Sequence, residues 1–246
     1  ASDVYKRQGL AGLLAVALTA CAGGGEPPAP SGSPASAPLE ALKEPANSMS
    51  VSPPLSPAPV SAEALAAYRA LLAGEPGALD RPPEGLELHQ VTLPPAEELE
   101  YVLLDLDGDG GAELVVQMVA QPHQFNAVFH YGDGELSCWQ YDIVEMSCRD
   151  YPLEDGAMVR QYDTGTGPNR YSNLYTVFRY LPDGETEECA SLAVHQDTQE
   201  DGTEVFTYLV DDAEVDQDTF AAEFEELVGS RLLSLEDWTP ATERPG

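Results

Sequence analysis

Two strand-like apolar runs flank the segment Asp105-Leu-Asp107-Gly-Asp109-Gly110-Gly-Ala-Glu113, and this arrangement restricts the chain there to a tight strand–loop–strand turn. Carboxylates stand at the first, third and fifth positions, a glycine at the sixth and another carboxylate at the ninth. Side chains spaced in this way surround one ion only if the backbone curls sharply. Gly110 supplies backbone angles that a side chain would resist. Calcium takes about six to eight hard oxygen ligands at about 2.3–2.6 Å. The spacing therefore predicts a calcium loop whose ligands are the carboxylates of Asp105, Asp107, Asp109 and Glu113 and the backbone carbonyl of Gly111. The competing reading is an acidic hairpin that holds no metal tightly.

The flanks narrow the loop type. An EF-hand joins two helices and carries a bidentate Glu at its twelfth position. Here that position is Val116, and the flanks Tyr101-Val-Leu-Leu and Leu114-Val-Val read as strands. The loop therefore does not read as an EF-hand. The loop resembles those of integrin-type propeller repeats, in which the ninth position supplies the last carboxylate. The sequence holds no second copy, so a repeat-built propeller or dockerin is not supported.

Elsewhere the hydrophobic period assigns the elements. Ser61 can cap a short helix, Glu63 suits its positive end, and Leu65, Tyr68, Leu71 and Leu72 recur at helical spacing. The period then switches to two, predicting strands over 100–106 and 113–119 on either side of the loop. Residues 126–131 and 135–141 meet at Gly132-Asp133-Gly134, a hairpin signal. Further strands are expected over 157–162, 172–181, 190–196 and 204–210, with Asp-Gly turns at Asp155-Gly156, Asp183-Gly184 and Asp201-Gly202. A second helix over 217–228 has Asp216 or Asp218 as its cap, and Phe220, Phe224, Leu227 and Val228 form its apolar stripe. These elements predict a single α+β domain over 61–240: an antiparallel β meander with a short helix at each end, preceded by a disordered tether.

Residues 9–18 are an apolar run followed by Leu18-Thr19-Ala20-Cys21. Ten residues span about 15 Å as a helix, half of what crosses a bilayer, so the run reads as a signal segment. Leu-Thr-Ala-Cys resembles the lipobox of bacterial lipoproteins. That resemblance implies lipid attachment at Cys21. The first eight residues look like translated adapter sequence, and the chain lacks an initiator Met. Over 22–60 the chain is rich in Pro, Ala and Ser, with ten prolines between Pro27 and Pro59. Few large apolar residues and many ladder-breaking prolines predict a tether, reaching roughly 35 Å if coiled and up to about 110 Å if extended.

The chain carries 43 acidic against 11 basic residues, a formal charge of −32. Such a surface repels nucleic acid and attracts divalent cations. The acidic run Asp211-Asp212-Ala-Glu214-Val-Asp216-Gln-Asp218 lacks the loop glycine and reads as a solvated turn and helix cap. Outside the membrane disulfides are permitted. Cys138 and Cys148 are expected to face each other across a hairpin centred near Ile143, with Cys189 left over, either buried or free. No catalytic signature occurs: there is no Gly-x-Ser-x-Gly, no His-Glu-x-x-His and no phosphate loop. His89, His123, His130 and His195 lie apart and read as surface or strand residues. Asp163-Thr-Gly-Thr-Gly-Pro-Asn-Arg170 reads as a long loop between strands, the alternative being a lining of a binding groove. Trp139, Tyr141, Tyr162, Tyr175 and Tyr180 read as half-buried strand packing, with an exposed aromatic platform for sugar as the alternative.

The segment Tyr101–Leu114 is similar to one common in uncharacterised lipoproteins of gut Gram-positive bacteria, and the stretch from Phe206-Thr-Tyr208 to Phe220 resembles their closing strand-to-helix element. The resemblance implies a lipid-anchored protein on the extracellular face of the cytoplasmic membrane with one calcium loop. The expected role is a binding or interaction module with a cell-wall or polysaccharide ligand. The alternatives are a hydrolase acting on cell-wall or dietary polymers and a purely structural envelope protein.

Overall fold

A computed structural model describes residues 59–120, 125–143, 148–167, 169–243 and 245. The signal segment, Cys21, the tether through Ala58 and His123 lie outside the described residues. Helix α1 (Ala62–Leu72) starts where the sequence predicts: Ser61 Oγ accepts the Ala64 N–H at 3.0 Å. Its buried face, Ala64, Tyr68, Leu71 and Leu72, packs on a five-stranded sheet. Burying one such large side chain contributes about 1.5–3 kcal/mol.

That first sheet has strands β1 (Leu99–Leu104), β2 (Glu113–Met118), β3 (Phe125–Gly132), β4 (Glu135–Ile143) and β11 (Thr239–Pro240), in the order β11-β1-β2-β3-β4. The second sheet has β5 (Cys148–Pro152), β6 (Met158–Gly167), β7 (Arg170–Tyr180), β8 (Thr186–Thr198), β9 (Glu204–Val210) and β10 (Ala213–Val215), in the order β10-β9-β8-β7-β6-β5. Every strand pairing in both sheets is antiparallel. The α+β meander is thus present, divided into two sheets between β4 and β5.

The alternation of side chains explains the layering. Tyr101, Leu114, Val116, Ala127 and Phe129 face α1. Val102, Leu104, Leu106, Val115 and Val128 face the other way and pack against Met158, Phe178 and Tyr180 of the second sheet. On the far face of that sheet, helix α2 (Gln217–Leu227) lays Phe220 and Phe224 over Tyr175, Val177 and Leu192. Asp216, one of the two expected caps, accepts the Thr219 N–H at 2.7 Å. Both sheets are therefore covered on two sides, which is why β2 is buried at nearly every position. Among the described residues no helix is long and apolar enough to cross a membrane.

Two expectations are corrected. The expected loop over 163–170 is mostly strand: β6 continues to Gly167 and β7 begins at Arg170. Nor do Cys138 and Cys148 face each other across a hairpin. Cys138 lies on β4 of the first sheet and donates its thiol to the Gln140 carbonyl at 3.1 Å, whereas Cys148 begins β5 of the second. The change of sheet at this point separates strands that sequence order alone would pair.

Candidate metal centre

The chain leaves β1 at Leu104 and enters β2 at Glu113, and the aspartates wind the backbone between them. Asp105 accepts the Gly108 N–H at 2.7 Å on Oδ1 and the Gly110 N–H at 3.1 Å on Oδ2. Asp107 Oδ1 accepts the Asp109 N–H at 3.0 Å, and Asp109 Oδ1 accepts the Gly111 N–H at 2.5 Å. These are side chain-to-backbone turns of the kind Asp favours. Gly110 has φ +88°, the left-handed conformation expected of the sixth position. Leu106 points inward and is fully buried between the sheets, anchoring the loop from below.

Neighbours from three other elements fix the loop. Tyr68 of α1 donates its hydroxyl to the Ala112 carbonyl at 2.8 Å. The turn between β5 and β6 arrives from the second sheet, where a Cβ on Gly156 would stand 2.0 Å from the Asp105 carbonyl oxygen. That turn is held by Asp155, which pairs with Arg179 and Arg231, each at 2.6 Å.

The third neighbour is His130 on β3. Glu113 is 1% exposed; its Oε2 accepts the Leu106 N–H at 2.8 Å, and its Oε1 lies 3.0 Å from His130 Nδ1. The imidazole is stacked on Trp139 at 4.3 Å, and Trp139 on Tyr180 at 5.2 Å. A register shift pairs Val128 with Gln140 and Phe129 with Cys138, so Trp139 is the extra residue that the bulge turns toward His130.

The ligand atoms fall into two overlapping groups. Asp105, Asp107 and Asp109 each offer an atom within 4.8 Å of the others, and so do Asp107, Glu113 and His130. Ligands about 2.0–2.6 Å from a shared ion stand up to about 5 Å apart, so both groups fit a cation. Of the five predicted positions, the structure brings the three aspartates together and sets Glu113 beside Asp107. Gly111 enters the loop with its N–H bound to Asp109.

Asp107 links the groups. Its Oδ2 is buried and has no hydrogen-bond partner among the described residues. Burial raises the pKa of Asp107, with the Asp109 charge adding to it and the Asp109 N–H opposing. Burial likewise raises Glu113, against the hydrogen bonds from His130 and the Leu106 N–H. For His130 burial acts downward, but the Glu113 hydrogen bond and the charges of Glu113, Asp107 and Asp109 outweigh it and raise the pKa. A bound cation would add positive charge beside Asp107 and Glu113.

Sequence reading missed His130. The available signal was positional: Leu114 pairs with Phe129, so His130 is the next residue on its strand just as Glu113 precedes Leu114 on its own. Tyr175, Trp139 and Tyr180 are packing residues, as their strand positions suggest, and not a shared aromatic platform. Tyr175 faces α2, while Trp139 and Tyr180 pack in the layer between the sheets. Of the other histidines, His89 sits beside Glu87 on the surface and His195 Nδ1 lies 2.7 Å from the buried Ser172 Oγ. No family model, no curated protein and no solved structure matches this chain, so the reading of the site rests on the chemistry of its own residues.

Proposed function

We propose that this chain is a lipoprotein on the extracellular face of the cytoplasmic membrane, held there through Cys21, whose folded part is a calcium-stabilised binding or interaction module. The observation that carries the calcium reading is Asp107 Oδ2, buried and without a hydrogen-bond partner among the described residues, at the meeting point of the acidic groups. A carboxylate oxygen shielded from water without a partner is unfavourable, and a cation offsets that cost. The oxygen-rich donor set of Asp105, Asp107, Asp109 and Glu113 suits calcium, with the Gly111 carbonyl as a further ligand. The role is structural: the ion would tie the loop to β2, beside contacts from α1 and the second sheet. Leu18-Thr-Ala-Cys21 and the Pro-rich tract support the anchored placement, and the charge of −32 disfavours polyanionic ligands, leaving cell-wall or neutral polysaccharide as the class to screen. Calorimetric titration of the metal-stripped chain with calcium tests the site. One saturable event that Asp107→Ala abolishes is expected; no heat up to millimolar calcium would refute it. Detergent partition of the acylated chain against Cys21→Ser tests the anchor.

A further inference from the structure

We infer that Asp107, Glu113 and His130 form an inner subsite for a borderline divalent ion of the zinc class, distinct in metal preference from the outer aspartate ring. The inference rests on the reading of the loop as a cation site and adds a second specificity to it. Three separate elements supply the donors: the loop gives Asp107, the first residue of β2 gives Glu113 and β3 gives His130. Their ligand atoms lie within 4.8 Å of one another, a separation suited to metal bonds of about 2.0–2.2 Å once the side chains close in.

The donor chemistry decides between metals. Calcium and magnesium take oxygen, whereas imidazole nitrogen suits zinc, nickel and copper. A nitrogen held against the inner carboxylates would be a wasted position for calcium. This imidazole is held firmly. Trp139 covers one face at 4.3 Å, and a Cβ on Gly132 would stand 2.4 Å from Nε2, so the ring edge fills the space that glycine leaves. Glu113 is fixed by the Leu106 N–H on one oxygen, leaving the other beside Nδ1. The third donor is the orphaned Asp107 Oδ2, buried without a hydrogen-bond partner among the described residues. Two preset donors and one unsatisfied buried oxygen converge on one small volume. The Glu113–His130 contact is the pairing that a metal would replace.

The test is zinc titration of the metal-stripped full chain, in millimolar calcium and without it, on the natural protein, His130→Gln and Asp109→Ala. The expected result is one zinc site weakened at least about tenfold by His130→Gln. Asp109→Ala should abolish calcium binding and leave zinc binding. In parallel, the His130 ring-nitrogen resonances of the natural chain should shift far more on adding zinc, which takes the imidazole as a ligand, than on adding calcium, a readout that needs no variant. Unchanged zinc affinity in His130→Gln, or unmoved imidazole resonances, would overturn the subsite. Calcium binding with no zinc binding would overturn this inference and leave the calcium site standing. Zinc binding with no calcium binding would do the reverse.

Discussion

The molecule contains two acidic segments of similar composition, and they are built for opposite purposes. Between Asp105 and Glu113 the carboxylates gather around one loop, Glu113 fully buried and Asp107 partly so, and burial raises the pKa of both. From Asp211 to Asp218 they face solvent and serve the backbone. Asp211 and Asp212, at φ +47° and +62°, form the two-residue turn between β9 and β10. Asp211 accepts the Ser191 N–H at 2.9 Å. Asp216 caps α2, and the Thr219 N–H holds its pKa below the ordinary carboxylate range. Acidic content alone therefore says little about metal. What separates the two segments is the backbone: glycines at the loop's turning points let alternate carboxylates converge, and a buried Glu113 closes the inner side.

The comparison can be broken most forcefully at the seat of the first segment. Gly156→Ala places a Cβ 2.0 Å from the Asp105 carbonyl at a residue with φ +80°. Left-handed strain and overpacking together should cost about 3–5 kcal/mol, read by denaturant unfolding. Gly202→Ala in the equivalent Asp-Gly turn has φ +83° but open space around it, and should cost only about 1–2 kcal/mol. Equal losses would mean that the second sheet does not support the loop.

Next in size is a matched pair of charge removals. Asp107→Asn should erase the whole calcium increment, about 1.4 kcal/mol at a tenfold excess over the dissociation constant, whereas Asp212→Asn should leave it intact. Loss in both would show a diffuse charge effect instead of a site. Smaller still is Asp216→Ala. It should lower thermal stability modestly and by the same amount in calcium and in chelator. The smallest effect is in pH. Because its folded pKa is depressed, Asp216 contributes stability that is fully present above the unfolded carboxylate value of about 3.9 and is lost as pH falls through the folded value. Asp216→Ala should therefore flatten the acid limb of the stability curve slightly, with no change near neutrality.

Much of this was legible in the chain, for identifiable reasons. Ser61 and Asp216 sit at helix starts with their apolar stripes immediately behind them, so both helices could be read locally. The hairpin at Asp133-Gly134 and the strand–loop–strand character of the aspartate segment are likewise local. What could not be read depends on contacts between distant strands. The break into two sheets after β4 leaves no local mark, and the Cys138–Cys148 pairing failed on that break. The stretch 163–170 looked like a loop because its glycines and threonines carry no apolar alternation, yet β6 and β7 pair through Gly165 and Tyr171 up to Gly167 and Arg170. His130 reaches the site only through the register of β3 on β2, set across residues the sequence does not pattern.

The central claim is that the loop is a structural cation site, and the most direct measurement is thermal unfolding of the chain in calcium and in chelator. A saturable rise of about 3–6 °C in calcium is expected, absent in Asp107→Asn. An identical unfolding temperature in both conditions, from a natively folded sample, would contradict it and reduce the Asp105–Glu113 segment to an acidic turn.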